Sequence, residues 1–519
     1  MISIFNDVIG PVMRGPSSSH CAAALRVGRL ARDLMGGDLR EVLIEFDRGG
    51  ALATTHESQG SDIGLFGGLL GWEADDERLP ESRQAIHDAD VRIRIDLVDS
   101  EDPHPNTYRL TLRNARGQHS LTAISTGGGS IEVVEIDGFS TSIAGDYRET
   151  LIRCDCDGRQ LVTRLAEVFN ADEILLLESG DEQLIEVKAQ RFVTDAAIAG
   201  LLSEDTIRFV KRLEPVLPVT SRKDVRVPFS TCAEMLRHDA GQNSPLWKLA
   251  VEYESIRGGL SEDDVIARMT KIVQIVRRSI EKGIGGTQFA DRVLGHQCGV
   301  FKSRMEAGRL LPGAALNRIV LYVTALMEVK SSMGVIVAAP TAGACAALPG
   351  AIVAVADEMN LPEAAVVKAM LAAGLIGAFI ATHSTFAAEL AGCQAECGAA
   401  ACMAAAGLVT LVDGGTPRAV AAASMALQSS LGLVCTPVAN RVEAPCLGNN
   451  AVAAANALVC ANMTLADYDP VVPLDEVIVA ADLVGRSLPR ELRCTALGGL
   501  SITDTSLELE KRLACSNRS

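Results

Sequence analysis

Residues 1–148 of this chain combine two hydrophobic periods. Cys21–Met35 repeats its apolar residues with the period of a helix, directly after a serine-rich segment. Four further segments alternate apolar and polar residues, as strands with one buried face do: Val42–Phe46, Val91–Leu97, Tyr108–Leu112 and Ile131–Ile136. The mixture predicts an α+β domain over residues 1–148.

The pattern changes twice further along the chain. Residues 149–195 predict strand, helix, strand, strand, which is about half of a ferredoxin-like fold. Residues 196–225 predict one more helix followed by prolines and charged turns, and we interpret them as a linker. Helical patterns dominate residues 226–519. The fold class is therefore multidomain, with an α+β N-terminal domain, a small ferredoxin-like middle domain and an all-α C-terminal domain.

Composition and charge narrow the class of protein. Apolar residues make up 48% of the 519 residues and aromatic residues only 4%, so most apolar positions are Ala, Val, Leu or Ile, which suits closely packed helices. The formal charge of −17 is the opposite of the basic footprint of a nucleic-acid-binding protein. Acidity of this size mainly keeps a cytosolic protein soluble.

Two apolar segments raise the question of a membrane span. Residues 334–356 contain Pro340 and Pro349, and residues 369–382 are shorter than the roughly 20 residues that cross a bilayer. Both are predicted to be buried helices of a soluble bundle. The N-terminus reaches Asp7 too early for a signal peptide. We expect a cytoplasmic protein without membrane contact.

Fourteen cysteines in such a chain are expected to be reduced and mostly buried. Cys393, Cys435 and Cys446 differ from the rest because each lies next to or near a glycine or proline that ends a helix. Thiolates at helix ends can turn toward a shared point, and three of them on an iron–sulfur cluster leave one metal position open. A zinc site favours tight Cys-x-x-Cys pairs, which residues 393–446 lack. Cysteine spacing by itself leaves a cluster, zinc and simple packing open.

Two short motifs in the N-terminal domain have candidate chemistry. Ser17, Ser18, Ser19 and His20 open the first helix, where hydroxyls cap free N–H groups and, with the helix dipole, suit a carboxylate. His104 lies between two prolines, which hold its imidazole in place as an acid, a base or a hydrogen-bonded turn residue.

Two glycine-containing segments could each serve either a functional or a purely structural role. Residues 125–130 include Gly127–Gly129, which let backbone approach an anion closely or simply form a hairpin turn. Residues 339–345 present Thr341 as a hydroxyl contact for a substrate.

Taken in order, these motifs resemble the iron–sulfur L-serine dehydratases, also called L-serine ammonia-lyases, over nearly the whole chain. Gly15–His20, Gln59–Asp62, His104–Thr107 and Gly127–Gly129 are similar to the β-type domain of that family. Residues 149–195 resemble its ACT-like domain. The three cysteines, with their flanking residues, resemble its α-type domain, so two halves that some bacteria make separately appear fused.

The resemblance implies an active site where the β-type domain meets the helical domain. Cys393, Cys435 and Cys446 would hold a [4Fe-4S] cluster whose open iron activates the β-hydroxyl of an amino-acid substrate, without pyridoxal phosphate. His20 or His104 would take the α-proton. Further substrate contacts would come from the serine loop and from five other residues: Gln59, Asn106, Gly128, Thr341 and Asn450. The expected reaction converts L-serine to pyruvate and ammonia, in amino-acid degradation and gluconeogenesis, in a homodimer.

Several positions depart from the family pattern on the substrate side. Gln59 stands where the family has a histidine, and His56 lies three residues earlier. Cys21 replaces a threonine. Gly448-Asn449-Asn450 replaces Lys-Arg-Asn. These changes leave open a different β-hydroxy or β-substituted amino acid as substrate.

The residues are also compatible with proteins of a different class. An ACT-like segment together with a cluster would suit a non-catalytic amino-acid sensor, and the cysteines would suit a structural zinc protein. Lys302 or Lys330 would be the lysine of a pyridoxal enzyme. In a variant of the cluster hypothesis, Cys515 in the C-terminal tail plugs the open iron.

Overall fold

The computed structural model describes residues 1–15, 18–57, 59–202, 206–289 and 292–516. The chain forms two compact units. The α+β unit runs from Met13 to Val225, and the helical unit combines Met1–Val12 with the chain from Arg226 onward. A short strand, β1 (Val12–Arg14), lies at the boundary.

A six-stranded sheet forms the first part of the α+β unit. Its elements are α1 (Ser18–Leu34), β2 (Glu41–Asp47), α2 (Leu52–Thr55), α3 (Ser61–Leu69), α4 (Ser82–Asp88), β3 (Arg92–Val98), β4 (Thr107–Asn114), β5 (Gly117–Gly127), β6 (Ser130–Ile136) and β7 (Phe139–Ile143). The strand order is β3-β2-β4-β5-β6-β7, with β2 and β3 parallel and the other neighbours antiparallel. In β2, Val42, Ile44 and Phe46 are buried and their neighbours are not, as their alternation predicts.

Helices α1 and α3 pack closely against each other. A Cβ on Gly28 would lie 2.4 Å from the Leu65 carbonyl oxygen, and one on Gly64 would lie 2.1 Å from that of Cys21. Glycine at these positions therefore lets the two backbones touch. This contact fixes the helix that starts in the serine-rich segment.

The second part of the α+β unit is a four-stranded antiparallel sheet. Its elements are β8 (Arg148–Cys154), α5 (Gly158–Val168), β9 (Glu173–Ser179), β10 (Glu182–Ala189), α6 (Asp195–Leu201) and β11 (Ile207–Leu213). The strand order is β11-β8-β10-β9, the βαββαβ arrangement of a ferredoxin-like unit. The predicted linker 196–225 therefore contains most of α6 and all of β11, which complete this sheet because β11 pairs with β8.

One pair of cysteines departs from the expectation of reduced thiols. Cys154 and Cys156, at the end of β8, form a disulfide with Cα atoms 5.5 Å apart, a separation typical of such bridges. Eleven other described cysteines are free, and all but Cys494 are buried.

The helical unit is a bundle around α13 and α15. Its elements are α7 (Cys232–His238), α8 (Leu246–Gly258), α9 (Glu262–Gly285), α10 (Cys298–Glu306), α11 (Ala314–Lys330), β12 (Val335–Val337), α12 (Ala347–Glu358), α13 (Glu363–His383), α14 (Ala388–Ala391), α15 (Ala399–Leu411), α16 (Thr416–Gln428), α17 (Cys446–Leu465), α18 (Leu474–Ser487) and α19 (Asp504–Ser516). Small residues let these helices approach each other. A Cβ on Gly407 of α15 would lie 3.0 Å from the Ala369 carbonyl oxygen of α13.

The first twelve residues belong to the helical unit, not to the N-terminal domain that the sequence predicts. Ser3 Oγ donates to Glu254 Oε1 at 2.5 Å, and the Ile4 N–H donates to Glu254 Oε2 at 2.8 Å. Both groups satisfy a carboxylate that is fully buried in α8. The segment is held by this pairing, which nothing in its local pattern indicates.

In the part of the bundle that the structure describes, two segments are long and apolar enough to cross a membrane: Glu363–His383 and Gln394–Leu411. In the structure, 78% and 94% of their most apolar stretches are buried inside the protein. They pack as core helices of the bundle.

Candidate functional site

Three irregular segments bring Cys393, Cys435 and Cys446 together in the helical unit. Cys393 follows Gly392, which ends α14 at a left-handed φ of 70°, and Cys446 is the first residue of α17. Cys435 lies in the connection after α16. All three are buried, with 2%, 5% and 4% exposure. Electrostatic interactions couple Cys393 to each of the other two thiols.

Two further thiols lie beside this trio. Cys397 shares a hydrogen bond with the Cys393 thiol, which with burial raises the pKa of Cys397. Cys494 shares a hydrogen bond with the Cys435 thiol, and its N–H donates to the Cys435 carbonyl oxygen at 3.0 Å. Cys446 interacts electrostatically with both Cys393 and Cys494. Five thiols therefore border one region.

The three buried thiols have the donor chemistry that an iron–sulfur cluster needs. Among the described residues, no three His, Cys, Asp or Glu side chains are grouped closely enough to hold one ion. A four-iron cluster binds each cysteine through a different iron, so its thiolates stand further apart, and thiolates are its usual ligands. Burial raises the pKa of Cys446 to about 12, so without a metal this thiol stays protonated.

A carboxylate lies next to the thiols. Glu396, between Cys393 and Cys397 in a π-helical turn, accepts a hydrogen bond from Thr341 Oγ1 at 2.6 Å. A Cβ on Gly343 would lie 2.5 Å from the same carboxylate oxygen, so glycine is required for this approach. Burial raises the pKa of Glu396 to about 6. The group can therefore gain or lose a proton near neutral pH.

A buried cation balances this part of the site. Lys330, the last residue of α11, is 3% exposed and donates to the Val442 carbonyl oxygen at 2.5 Å. Its charge opposes the burial that raises the pKa values of Cys446, Cys345 and Glu396. Lys330 therefore favours the ionised forms of the groups around it.

Asn450, predicted as a substrate contact, commits its whole amide to the backbone. Nδ2 donates to the carbonyl oxygens of Gly343 and Cys446, both at 2.8 Å, and Oδ1 accepts from two consecutive N–H groups at the start of α12. No donor or acceptor remains for a substrate. Asn450 therefore positions the cysteine segment, while the neighbouring Asn449 places Nδ2 3.6 Å from Cys393 Sγ.

The structure describes only part of the serine-rich segment in the α+β unit. Ser17 and the side chain of Ser18 lie outside the described residues. Ser19 and His20 lie in the first turn of α1, and both are half-buried. Burial lowers the pKa of His20, so this imidazole is neutral at pH 7.

Two predicted substrate contacts in this unit have buried amide oxygens without a hydrogen-bond partner. They are Gln59 Oε1 and Asn106 Oδ1. His104 Nδ1 accepts the Asn106 N–H at 3.2 Å, and Thr107 Oγ1 donates to the His104 carbonyl oxygen at 2.7 Å. Gly128 has a left-handed φ of 60° in the turn between β5 and β6. Because an unpaired buried oxygen is costly, both amides suit a ligand that donates hydrogen bonds.

His56 forms an oriented pair close in sequence to Gln59. Its Nδ1 lies 2.8 Å from Oδ1 of the buried Asp62, and this hydrogen bond raises the pKa of His56. Arg83 also donates to Asp62, at 3.0 Å. A carboxylate that holds an imidazole in this way is a common arrangement for acid–base chemistry.

Comparison with known proteins identifies the family. The family model described as serine dehydratase alpha chain matches residues 238–501, which include all three predicted cluster cysteines. This chain belongs to the serine dehydratase family. Its helical unit therefore contains the alpha-chain part of the family.

Relatives in the family match both parts of this dehydratase-family chain. The probable L-serine dehydratase alpha chain of Bacillus subtilis is 34% identical over 253 residues, 49% of this chain and 84% of that protein. The probable beta chain of the same organism is 39% identical over 150 residues, 29% of this chain and 67% of that protein. L-serine dehydratase 2 of Escherichia coli is 27% identical over 526 residues, covering 97% of this chain and 99% of its own length. The two chain types are therefore fused here.

Four residues that the sequence does not single out as site residues lie in the thiol region. Glu396 and Cys397 follow Cys393 within four residues, so a short window around that cysteine would have included them. Lys330 was considered only as a pyridoxal lysine. Cys494 is 59 residues beyond Cys435 and has no glycine or proline next to it. Only the backbone contact between the two segments reveals it.

Proposed function

We propose that this serine dehydratase-family chain removes water from L-serine to give pyruvate and ammonia. The proposal assigns a [4Fe-4S] cluster to Cys393, Cys435 and Cys446 and uses no pyridoxal phosphate. Its main support is the convergence of these buried thiols from three separate segments. When bound, the cluster would supply a Lewis-acidic iron that makes the β-hydroxyl a better leaving group.

The protein's own residues would move the protons. A base removes the α-proton while the β-hydroxyl leaves with a proton as water, and the resulting enamine tautomerises and hydrolyses to pyruvate and ammonia. His20 and His104 remain our candidates for the base. Glu396 is suited to hold a proton near the departing hydroxyl, because its pKa of about 6 allows either state.

Substrate binding would use the α+β unit. The ammonium group of serine has three N–H donors, and the unpartnered oxygens of Gln59 and Asn106 are acceptors of the kind that it needs. The serine loop, Ser17, Ser18 and Ser19, and the backbone at Gly128 would bind the carboxylate. Thr341 would act through Glu396, to which it already donates.

We further propose that the middle of the α+β unit is an ACT-like domain. Its βαββαβ order and four-stranded sheet support this assignment. The sheet ends at β9 on one side, and an edge strand favours pairing with a second copy, so a homodimer is proposed. The enzyme would act in the cytoplasm, in amino-acid degradation that feeds gluconeogenesis.

A second substrate class is favoured by one observation. Gln59 leaves a buried amide oxygen without a partner at a position where the family pattern has histidine. A β-hydroxy or β-substituted amino acid with an additional donor would pair with it. The chemistry would be the same elimination.

Anaerobic purification tests the proposed function. We expect about four iron and four sulfide per chain, a visible absorbance band, and 2-oxo acid formation from L-serine in the absence of pyridoxal phosphate. L-Threonine and β-substituted alanines should be assayed in parallel. Full activity in colourless, iron-free protein, or zinc in place of iron, would refute the cluster assignment. Product from another amino acid and none from serine would move the assignment to the second class.

A further inference from the structure

A histidine–aspartate pair lies on either side of Gln59. His56 Nδ1 lies 2.8 Å from Asp62 Oδ1, and the Asp62 N–H donates to the His56 carbonyl oxygen at 3.2 Å. Arg83 donates to the other carboxylate oxygen of Asp62 at 3.0 Å, and the Asp62 side chain is 2% exposed. The carboxylate is therefore held in place, and it fixes the orientation of the imidazole.

The second nitrogen of this imidazole is available to a ligand. The His56 ring lies against Phe46 of β2, with ring centroids 5.0 Å apart, and Phe46 meets Tyr108 edge-on. Among the residues that the structure describes, none forms a hydrogen bond with Nε2 of His56, whose side chain is 20% exposed. Because Asp62 engages Nδ1, Nε2 is the atom with which His56 can bind a ligand.

Backbone contacts place the imidazole in the same region as the two unpaired amide oxygens. The Gln59 N–H donates to the Thr55 carbonyl oxygen at 2.9 Å, so Gln59 ends a hydrogen-bonded turn that contains the histidine. The Ala51 N–H, just before α2, donates to the Pro105 carbonyl oxygen at 2.8 Å. Pro105 directly precedes Asn106. The segment that carries the imidazole is therefore joined to the segments that carry both amides.

The surroundings of the imidazole favour its protonated form. The hydrogen bond with Asp62 raises the pKa of His56 above its ordinary value of 6.5, and partial burial opposes this effect. Two further charged groups act on the ring: Glu57 raises this pKa and Arg83 lowers it. Burial raises the pKa of Tyr108 and keeps its hydroxyl neutral. Near neutral pH the imidazole is therefore protonated to a greater extent than an ordinary histidine, and its protonated Nε2 is a positively charged donor.

We propose that His56 binds the α-carboxylate of the amino-acid substrate through Nε2, with Asp62 as its positioning residue. This inference rests on the proposed function and adds a substrate contact to those named there. The amide oxygens of Gln59 and Asn106 suit the ammonium group, whereas a cationic imidazole suits the opposite charge of the same molecule. An ionised carboxylate has about four acceptor sites, so His56 can bind it together with the serine loop.

A second histidine–aspartate pair in the same unit provides a matched control. His119 Nδ1 lies 2.7 Å from Asp137 Oδ2, and the His119 side chain is 13% exposed. His119 pairs with Leu112, toward the end of β4 that is far from Asn106. Its ring meets Phe209 of β11 edge-on, with ring centroids 5.2 Å apart. His119 therefore has the same chemistry at a different place in the sheet.

Steady-state kinetics of the full-length enzyme, reconstituted without oxygen, test the proposal. We expect His56→Gln to raise KM for L-serine about thirtyfold, because a hydrogen bond between charged groups is lost. The kcat should stay nearly unchanged, since this contact is the same in the ground state and the transition state. His119→Gln should keep the wild-type KM and kcat. Iron and sulfide content should be equal in all three proteins.

A ligand without the carboxylate identifies the group that His56 contacts. L-Serinamide has a neutral amide in place of the carboxylate, and its inhibition constant is measured in competition with L-serine. This constant should be about the same in wild type and His56→Gln, because the two changes remove the same interaction. Equal weakening of L-serine and L-serinamide by His56→Gln would overturn the proposal, since it would indicate general damage to the site.

The pH dependence of KM gives a test that keeps the imidazole. Wild-type KM should rise as pH increases and His56 loses its proton, measured from about pH 6 to about pH 9. Asp62→Asn should move this rise to lower pH, because a neutral amide no longer supports the imidazolium. A wild-type profile equal to that of His56→Gln, or an unchanged KM in His56→Gln, would overturn the assignment of His56. Absence of 2-oxo acid from wild type with every amino acid assayed would instead refute the proposed function itself.

Discussion

The thiol region of the helical unit and the candidate substrate region of the α+β unit differ in how their buried polar groups are paired. Around the thiols of the helical unit, the side chains of Glu396, Lys330 and Asn450 all have hydrogen-bond partners. In the α+β unit, Gln59 and Asn106 keep buried amide oxygens unpaired. Unpaired buried groups are rare and call for an explanation.

This difference indicates separate tasks for the two units. A site that holds an inorganic cluster through sulfur needs its other polar groups already satisfied, so that the thiols stay in position. A site that binds a polar substrate needs acceptors left open until the substrate arrives. Under the proposed function, the helical unit would perform the first task and the α+β unit the second.

The strongest test of this division removes a thiol. Cys435→Ala should reduce activity by about a thousandfold or more, because a Lewis acid contributes several kcal/mol to the barrier and each 1.4 kcal/mol is a factor of about ten. Iron and sulfide content should fall in parallel, measured on anaerobically prepared protein. Cys402→Ala, which removes a fully buried thiol from α15, is the matched control. It should keep wild-type activity and wild-type iron and sulfide content. A Cys435→Ala protein with a full cluster would contradict the ligand assignment.

The second test changes the α+β unit without touching the cluster. His104→Gln should lower kcat by about a hundredfold, since a positioned acid or base contributes roughly 10²–10⁴-fold. Iron and sulfide content should stay at the wild-type level, so activity and cluster separate in this variant. His87→Gln, at an 84% exposed side chain, serves as control. Retained kcat in His104→Gln would leave His20 as the base.

The sequence predicted those parts of the fold and site that have local causes. Alternation in Val42–Phe46 predicted β2 because one face of that strand is buried. Glycine and proline near Cys393, Cys435 and Cys446 predicted segments that leave helices, and the structure brings these three thiols together.

Features with distant causes could not be predicted in this way. Met1–Val12 joins the helical unit, where Ser3 donates to Glu254 in a contact across 251 residues. Cys494 depends on a bridge between two loops. β11 is a different case, because the alternation of Ile207 and Phe209 is interrupted at Lys211, and the sequence predicts a linker there. Its pairing with β8 decides its role.

The smallest predicted effect concerns stability in the α+β unit, where two buried carboxylates share one lysine. Glu149 and Glu186 are fully buried on either side of Lys188, and Glu149 Oε2 has no partner. Burial raises the pKa of Glu149 to about 8. Between the ordinary value near 4.5 and 8, the folded state therefore binds a proton that the unfolded state has released, so stability falls as pH rises through this range.

Glu149→Gln should remove most of this dependence. Between pH 6 and pH 8, we expect the free energy of unfolding to fall further in wild type than in Glu149→Gln. The difference should be on the order of 2 kcal/mol. Urea denaturation of the full-length protein, followed through the four-stranded sheet, measures it. Glu178→Gln is the matched control on β9, where the side chain is exposed and accepts from Gln183 at 3.2 Å. Parallel pH profiles for wild type and Glu149→Gln would show that Glu149 is ionised in the folded protein. In that case Lys188 would face two ionised carboxylates, and the α+β unit would hold a buried charge as the helical unit does.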